Sequence, residues 1–340
     1  MSFGLVSFGQ TLGEPTPVAD AVAEYTGDEE RILGYGYRTM HRCPPEVGLT
    51  DLAVEAGAKA LTASGTDPGE LDLVVIAITD IVEYLYWDAA AKVAHRLGAS
   101  RAEAVFLTQA CTTGVMSLDT VAGKFATHPG YSTALVIAVN RTCEPYWNRM
   151  DVQPAVFSDG AVATVARRGH PALRWLATEV TTDGAYADFY RMEAGGAAAP
   201  FRPGGTVDPA DLRVRDAWDL MEFFNYDGER FEAFVRMLDE RGAETIRRAC
   251  ARVGADLNDV ARFILPNDNV RAMTSMAAVL GVELARTNAD LSAGYGHLGA
   301  ADQLFCLAEY AATGALEPGT KVALFSMGRG MHWACSLLEV

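Results

Sequence analysis

The sequence predicts an α/β protein in which buried strands alternate with helices. Short apolar runs rich in Val and Ile have the composition of fully buried parallel strands, and segments of helical periodicity separate them. The later half of the chain also repeats the order of elements found in the first half, at low identity. The repeat indicates two similar halves that pack together, and we place them at 1–170 and 171–340.

The first half contains the clearest elements. Two segments with helical spacing lie between the apolar runs, as crossovers between parallel strands require. The predicted strands are 71–79, 104–110, 132–140 and 161–168, and the predicted helices are 87–99 and 112–127.

The second half contains segments that match these elements in the same order. The pairs are 259–268 with 71–80, 269–282 with 89–100, 286–310 with 101–125, and 320–330 with 132–142. This pairing places Gly299 opposite Gly114 and makes the turns at Cys111 and His297 equivalent by pseudo-symmetry.

Residues 181–239 have a different composition, in which small residues, Gly and Pro precede an aromatic helical segment. Such a stretch is typical of a loop and cap over a pocket. The alternative is a surface excursion with a small core of its own.

Composition excludes several classes of protein. The chain has 340 residues, about half of them hydrophobic and about a fifth charged, as in globular proteins with ample core. The net charge of −16 argues against nucleic-acid binding, which needs basic surface. No run approaches the roughly 18 apolar residues of a membrane span, and no targeting pattern begins the sequence, so we expect a cytoplasmic protein. Six dispersed cysteines without a CxxC pair or Cys/His cluster predict neither a disulfide framework nor a metal site.

Cys111 is the candidate nucleophile. It lies in FLTQACTTGVMSLDTVAGKF, after an apolar run and at the start of a helical pattern. A helix N-terminus favours thiolate over thiol, and its free amides can bind an oxyanion on a thioester carbonyl. The alternative is a small buried core residue.

Five motifs favour the interpretation of Cys111 as the nucleophile. They are TQACTTGVMSLDTV around Cys111, FSDGAVATVARR (157–168), LPNDNVRAM (265–273), GYGHLGAAD (294–302) and SMGRGMHWACSLLEV (326–340). Through them nearly the whole chain resembles the ketoacyl-ACP synthase III branch of the thiolase superfamily. The resemblance implies a five-layered αβαβα thiolase fold built from two duplicated halves, and a homodimer. It also implies that Cys111 takes an acyl group from a coenzyme A or phosphopantetheine thioester, without a permanently bound cofactor.

The resemblance implies further roles around the nucleophile. The N–H of Cys111 and the turn at Gly328, Arg329 and Gly330 match the oxyanion hole of the family. Asp159 and Gly160 match a Gly-Asp-Gly-Ala segment, and we expect them to support the fold.

Two motifs depart from the family pattern. Its Pro-His-Gln-Ala-Asn segment is Pro-Asn-Asp-Asn at 266–269, one residue shorter, and its Gly-Asn-Thr-Ser segment is Gly-His-Leu-Gly at 296–299. Cys111 therefore keeps a histidine partner, but this histidine, His297, comes from the other segment.

His297 is predicted to act as the base for the thiol and for an acceptor. Asn267 or Asp268 is the preferred orienting group, ahead of Asp302, which begins the next helix. His332, just after the oxyanion turn, is the rival base, and a satisfied core histidine is the alternative for His297.

The exchanged pair resembles the natural-product branch of the family, found in antibiotic and polyketide pathways, which moves acyl groups onto hydroxyl or amine acceptors. We therefore predict an acyltransferase of secondary metabolism. The alternatives are decarboxylative Claisen condensation, as in a β-ketoacyl synthase III, and a catalytically weak partner subunit. The donor is acyl-CoA or an acyl carrier protein that docks through Arg141, Arg149 or Arg247, and the acyl group and acceptor stay open.

Overall fold

The computed structural model describes residues 2–202, 205–214 and 217–340. Its strands are β1 (Phe3–Leu12), β2 (Glu14–Pro17), β3 (Thr39–Arg42), β4 (Leu73–Ile78), β5 (Glu103–Leu107), β6 (Thr133–Asn140), β7 (Gly160–Arg168), β8 (Arg174–Thr182), β9 (Val260–Ile264), β10 (Lys321–Gly328) and β11 (His332–Glu339). Its helices are α1 (Val18–Tyr25), α2 (Glu29–Leu33), α3 (Leu49–Ser64), α4 (Ala89–Leu97), α5 (Thr113–Thr127), α6 (Ala217–Phe223), α7 (Gly228–Ala251), α8 (Val270–Leu280), α9 (Ala289–Tyr295) and α10 (Asp302–Thr313).

The main sheet shows the duplication directly. Its strand order is β5-β4-β6-β7-β1-β8-β11-β10-β9. From β4 to β1, a parallel pair is followed by two antiparallel pairings, and the same pattern runs from β9 to β8. The two sets join where Gly4 of β1 pairs with Arg174 of β8. The domain boundary at residue 170 falls in the connection between β7 and β8 and stays a prediction.

Alternation along the strands divides the core into layers. In β4, Leu73 and Val75 face a central cluster, whereas Val74 and Ile76 face a second cluster with α3 and α4. The central cluster contains α5 and α10 and also one face of β10. The opposite face of β10 packs with α7 and α8 in a third cluster. The result is five layers, helix–sheet–helix–sheet–helix, as the resemblance implied.

The second half departs from the predicted repeat at the counterpart of β5. There Thr287 makes one parallel bridge to Phe263, and the chain then forms α9. The α9 sequence ADLSAGY contains no β-branched residue, whereas β5 is EAVFL and supports a strand.

The pairing of Gly299 with Gly114 was wrong by four positions. Short 3₁₀ turns at Ala110–Thr112 and Gly299–Ala301 precede α5 and α10, and each turn opens with a residue of positive φ, 51° at Ala110 and 55° at Gly299. The structural counterpart of Gly299 is therefore Ala110. Strand β5 likewise ends at Leu107, before the predicted residue 110, because the chain turns there toward Cys111.

The segment 181–239 does not form a separate core in its described part. Residues 203–204 and 215–216 lie outside the described residues. The buried rings of Phe189, Phe224 and Phe234 belong to the cluster that covers the outer face of β10 and β11. Their centroids lie 5.0–5.7 Å apart, so the aromatic cap is continuous with the main core.

Two features are absent from the described ranges, a membrane-spanning helix and a metal-binding cluster. In that part of the chain, no helix combines the length and apolar character needed to cross a bilayer. Over the same ranges, no group of three or more His, Cys, Asp or Glu side chains is arranged to hold a metal ion. All six cysteines are free thiols.

Candidate active site

Cys111 lies in the tight turn between β5 and α5. The preceding residue, Ala110, has a φ of 51°, a left-handed conformation that costs a residue with a β-carbon about 1 kcal/mol. The Cys111 side chain is 7% exposed, at the start of α5, where the helix dipole favours negative charge. The unfavourable conformation of Ala110 thus places the Cys111 sulfur near the N-terminus of α5.

His297 faces this sulfur. Its Nε2 atom lies 3.3 Å from Cys111 Sγ. Its backbone N–H donates to the Val156 carbonyl at 2.8 Å, and its carbonyl accepts from the Ser158 N–H at 2.9 Å. The ring of Phe157 packs edge-on against the imidazole at 4.8 Å between centroids. The segment 156–158 therefore fixes both the backbone and the ring of His297.

A glycine brings the two turns together. A β-carbon on Gly114 would lie 1.9 Å from the carbonyl oxygen of Ala300, so only glycine permits this approach. Ser326 adds a second constraint, since its hydroxyl donates to the Cys111 carbonyl at 2.8 Å. The distance between Cys111 and His297 depends on this close packing of α5 against the turn before α10.

Asp302 is the partner of His297. The Nδ1–H of His297 donates to Asp302 Oδ2 at 2.6 Å, and the same oxygen accepts the Asn267 N–H at 2.8 Å. Asp302 Oδ1 accepts the Leu298 N–H at 2.7 Å, and the side chain is fully buried. Three donors converge on this carboxylate and compensate its burial.

The pKa of His297 responds to this environment. Burial alone would lower the pKa, but the Asp302 carboxylate and Cys111 outweigh it, so the pKa of His297 lies well above 6.5. His297 Nε2 lies 3.3 Å from the Cys111 sulfur, close enough for a proton to pass between the two side chains. The three side chains therefore form a Cys–His–Asp arrangement suited to nucleophilic catalysis.

The predicted preference for Asn267 or Asp268 as the orienting group was wrong. Only the backbone N–H of Asn267 reaches Asp302, and its side-chain Oδ1 accepts from Asn288 at 2.8 Å and from the Cys306 thiol at 3.3 Å. Asp302 takes the role because the turn at Gly299–Ala301 folds the start of α10 back onto His297. The separation of five residues between His297 and Asp302 does not by itself reveal this contact.

Asp268 lies on the wall of the cavity in front of Cys111 and His297. Burial raises the pKa of its carboxyl to about 6. His332 is the first residue of β11 and does not line the cavity. Its Nδ1 lies 2.9 Å from the Thr182 hydroxyl. The structure therefore gives no support to His332 as the rival base.

The predicted oxyanion residues reach the cavity in part. Cys111, Gly328 and Arg329 line it, whereas Gly330 does not. A β-carbon on Gly328 would lie 3.2 Å from the amide nitrogen of Cys111, so glycine lets the turn approach that amide closely. The oxyanion role of these residues stays a prediction.

The cavity has a volume of about 150 Å³, and its wall is largely apolar. An engineered apolar cavity of about this size binds benzene, so the space matches a small acyl group. Sequence reasoning missed several lining side chains, although their aromatic or apolar character within the motifs and the cap was visible: Trp147, Phe157, Tyr190, Leu238 and Met331. Tyr190 and Leu238 show that the cap segment contributes to this pocket.

A buried ion pair supports the wall from behind. Arg149 is fully buried and binds both carboxylate oxygens of Asp159, at 3.0 and 2.8 Å, and Glu144 at 2.7 Å. Arg149 cannot dock a carrier protein, and Arg141 is engaged with Asp159 and backbone carbonyls. The burial of Arg149 contradicts its predicted docking role, whereas the docking roles of Arg141 and Arg247 stay predictions.

Known proteins resemble the chain in sequence. Residues 250–340 match the family model described as 3-oxoacyl-[acyl-carrier-protein (ACP)] synthase III C terminal. A β-ketoacyl-[acyl-carrier-protein] synthase III of Gloeobacter violaceus is 30% identical over 313 residues, covering 92% of this chain and 90% of the relative. The acetoacetyl CoA synthase NphT7 of a Streptomyces species is 28% identical over 346 residues, covering 99% and 98%.

Solved structures show the same fold. ChlB3, described as an acyltransferase, superposes with a TM-score of 0.84 at 22% identity, covering 100% of this chain and 98% of that one. The 3-oxoacyl-(acyl carrier protein) synthase III of Pseudomonas aeruginosa PAO1 gives 0.80 at 24% identity, with the same coverage.

These likenesses, with the five layers and the duplicated strand order, define a thiolase-fold enzyme of condensation or acyl transfer. The chain belongs to the β-ketoacyl-[acyl-carrier-protein] synthase III family. The predicted fold and family are confirmed.

Proposed function

We propose that this enzyme is an acyltransferase that carries an acyl group on Cys111 and passes it to a hydroxyl or amine acceptor in natural-product biosynthesis. The donor is an acyl thioester of coenzyme A or of a carrier protein. The observation that carries the proposal is the hydrogen-bonded series from Cys111 through His297 to Asp302.

In the loading step, the Cys111 thiolate attacks the thioester carbonyl. The N–H of Cys111 and the adjacent turn at Gly328 hold the developing oxyanion. The donor C–S bond breaks, and His297 Nε2–H protonates the leaving thiolate. His297 is then neutral, and its Nδ1–H remains bonded to Asp302.

In the transfer step, neutral His297 is ready to act as a base. It takes the proton of the acceptor hydroxyl while the new C–O bond forms at the acyl carbon. The C–S bond to Cys111 breaks, and the thiolate–imidazolium pair is restored. One histidine thus serves both halves of a ping-pong reaction.

The surroundings of Asn267 argue against decarboxylative condensation. Enolate formation from a malonyl thioester needs two donors at its carbonyl, supplied in the family by a His and Asn pair. Here Asn267 does not line the cavity: its Oδ1 accepts from Asn288 and Cys306, and its donor Nδ2 is buried without a hydrogen-bond partner among the described residues. Condensation is nevertheless the second candidate, because two relatives are named β-ketoacyl synthase III and acetoacetyl CoA synthase.

The alternative of a catalytically weak partner subunit is disfavoured by the intact series of Cys111, His297 and Asp302.

A homodimer is part of the proposal. Exposed apolar side chains at Tyr84 and Leu85, 66% and 72% accessible, support an interface with a second copy. A second candidate for the interface is CEPYWNRM (143–150), an aromatic segment after β6, but it gives less support because Trp147 and Arg149 are buried within the chain.

Intact-mass spectrometry and a carbon dioxide assay test the proposed reaction together. The wild type incubated with acetyl-CoA should gain one acetyl group, and Cys111→Ala should gain none. The acetylated enzyme offered malonyl-CoA should release little carbon dioxide, and it should lose its acetyl group to a hydroxyl or amine compound. Brisk, acetyl-dependent release of carbon dioxide with an acetoacetyl product would overturn the proposal in favour of condensation.

A further inference from the structure

Asp268 is a cavity-lining carboxylate that the proton transfers above do not use. Its Oδ1 accepts from the backbone N–H of Asn269 at 2.7 Å and from Asn269 Nδ2 at 3.0 Å. Within the described ranges, the structure gives Oδ2 no hydrogen-bond donor. One oxygen of this carboxylate is therefore available to a ligand in the cavity that holds Cys111 and His297.

The charges around Asp268 are mainly negative. Asp302 and Asp239 act on it as like charges, His297 is the cation that faces it, and the phenols of Tyr37 and Tyr190 lie within its field. Arg329, which also lines the cavity, donates to the Thr79 carbonyl at 3.0 Å and lies 3.9 Å from Asp80 Oδ1. When His297 is neutral, in the acyl-enzyme, the Asp268 side of the cavity favours a cation.

The charge of the whole chain acts in the same direction. At −16, the protein attracts cations and repels anions over the range of a Debye length. A cationic acceptor would be drawn to the protein, and a desolvated carboxylate with an unpaired oxygen would bind its ammonium group by a charge-assisted hydrogen bond. A neutral acceptor gains neither effect.

We propose that Asp268 binds a protonated amino group on the acceptor, so that the acceptor is an amino alcohol, a class that includes amino sugars. This inference rests on the proposed function. The acceptor hydroxyl attacks the acyl carbon and gives its proton to His297, the C–S bond to Cys111 breaks, and the ammonium group keeps all its protons at Asp268. The carboxylate thus selects the acceptor and takes no part in bond making.

The test compares two acceptors of nearly equal shape, 2-aminoethanol and 1-propanol, on pre-formed acetyl-Cys111 enzyme at pH 8. Intact mass follows the loss of the acetyl group from Cys111, and mass spectrometry of the small-molecule products shows whether the acetylated acceptor forms. The wild type should transfer at least about tenfold faster to 2-aminoethanol, as one charge-assisted contact allows. Asp268→Asn should lose this preference, which is a ratio of two rates on the same acetylated enzyme and does not depend on how fast the variant loads.

Asp290→Asn is the matched control, because this carboxylate accepts from the Tyr310 hydroxyl and does not line the cavity. It should keep both loading and preference. Equal transfer to the two acceptors by wild type, or an undiminished preference in Asp268→Asn, would refute the role of Asp268 and leave the acyltransferase intact. Failure of wild type to load Cys111 would refute both.

If Asp268→Asn does not fold, the wild type alone decides. The carboxyl of Asp268 has a pKa of about 6, so the preference for 2-aminoethanol should be present at pH 8 and fall as the pH drops through about 6. Transfer to either acceptor requires neutral His297 as the base, so protonation of His297 lowers both rates together and the ratio of the two rates reports on Asp268. A ratio that does not change between pH 8 and pH 5 would overturn the inference.

Discussion

Replacement of Asp302 by asparagine is the most direct test of the proposed relay. Three donors, from His297, Asn267 and Leu298, converge on the two carboxylate oxygens. An amide offers one oxygen, so at least one donor would face an NH₂ group. The buried amide would also fail to compensate the charge of the imidazolium, which lowers the pKa of His297.

The expected loss of rate follows from catalytic triads in which a carboxylate orients a histidine. Loss of the carboxylate that orients a catalytic histidine reduces the rate by about 10³ to 10⁴-fold, or about 4 to 5.5 kcal/mol at about 1.4 kcal/mol per tenfold. We expect a loss of this size in the acylation of Cys111 by acetyl-CoA, measured by rapid quench and intact mass. Asp290→Asn is the control, because Asp290 accepts from Tyr310 and does not line the cavity.

The stability of the same variant gives an independent check with a defined sign. The pKa of His297 is raised in the folded state, so its protonation contributes stability that is fully present below about pH 6.5. That contribution is lost as the pH rises through the folded pKa, well above 6.5. Asp302→Asn should remove this dependence. In the loading assay, acetylation of Cys111 in Asp302→Asn within tenfold of the wild-type rate would refute the proposed role of Asp302.

Four further predictions follow from the site. Cys111 should react with iodoacetamide and short acyl thioesters faster than the other five cysteines, by peptide mass mapping, and uniform labelling would contradict its assignment. His297→Ala should slow loading and transfer together by about 100-fold to 10,000-fold, and a defect in one step alone would exclude its double role. Gly114→Ala places a methyl group 1.9 Å from the Ala300 carbonyl and should lower the melting temperature and slow loading, with exposed Gly123→Ala of the same helix as the control. Sedimentation should give a dimer, and a monomer at every concentration would disprove the interface at Tyr84 and Leu85.

Much of the fold was determined by the sequence alone, because its signals are local. Apolar runs such as 71–79 specify buried strands, and the period of two along β4 already assigns alternate residues to two layers. The repeat of these signals predicted two similar halves. The motif around Cys111 and the histidine at 297 identified the two groups that the structure brings within 3.3 Å.

The tertiary structure decided which groups surround that pair. Asp302, and not the preferred Asn267 or Asp268, binds His297, because the turn before α10 folds back by a geometry that no local pattern encodes. The loss of a fifth strand in the second half similarly depended on whether ADLSAGY could pair beside β9. Hydrogen bonds between segments require distances and angles that only the packed chain sets, whereas strands and helices follow from periodicity along it.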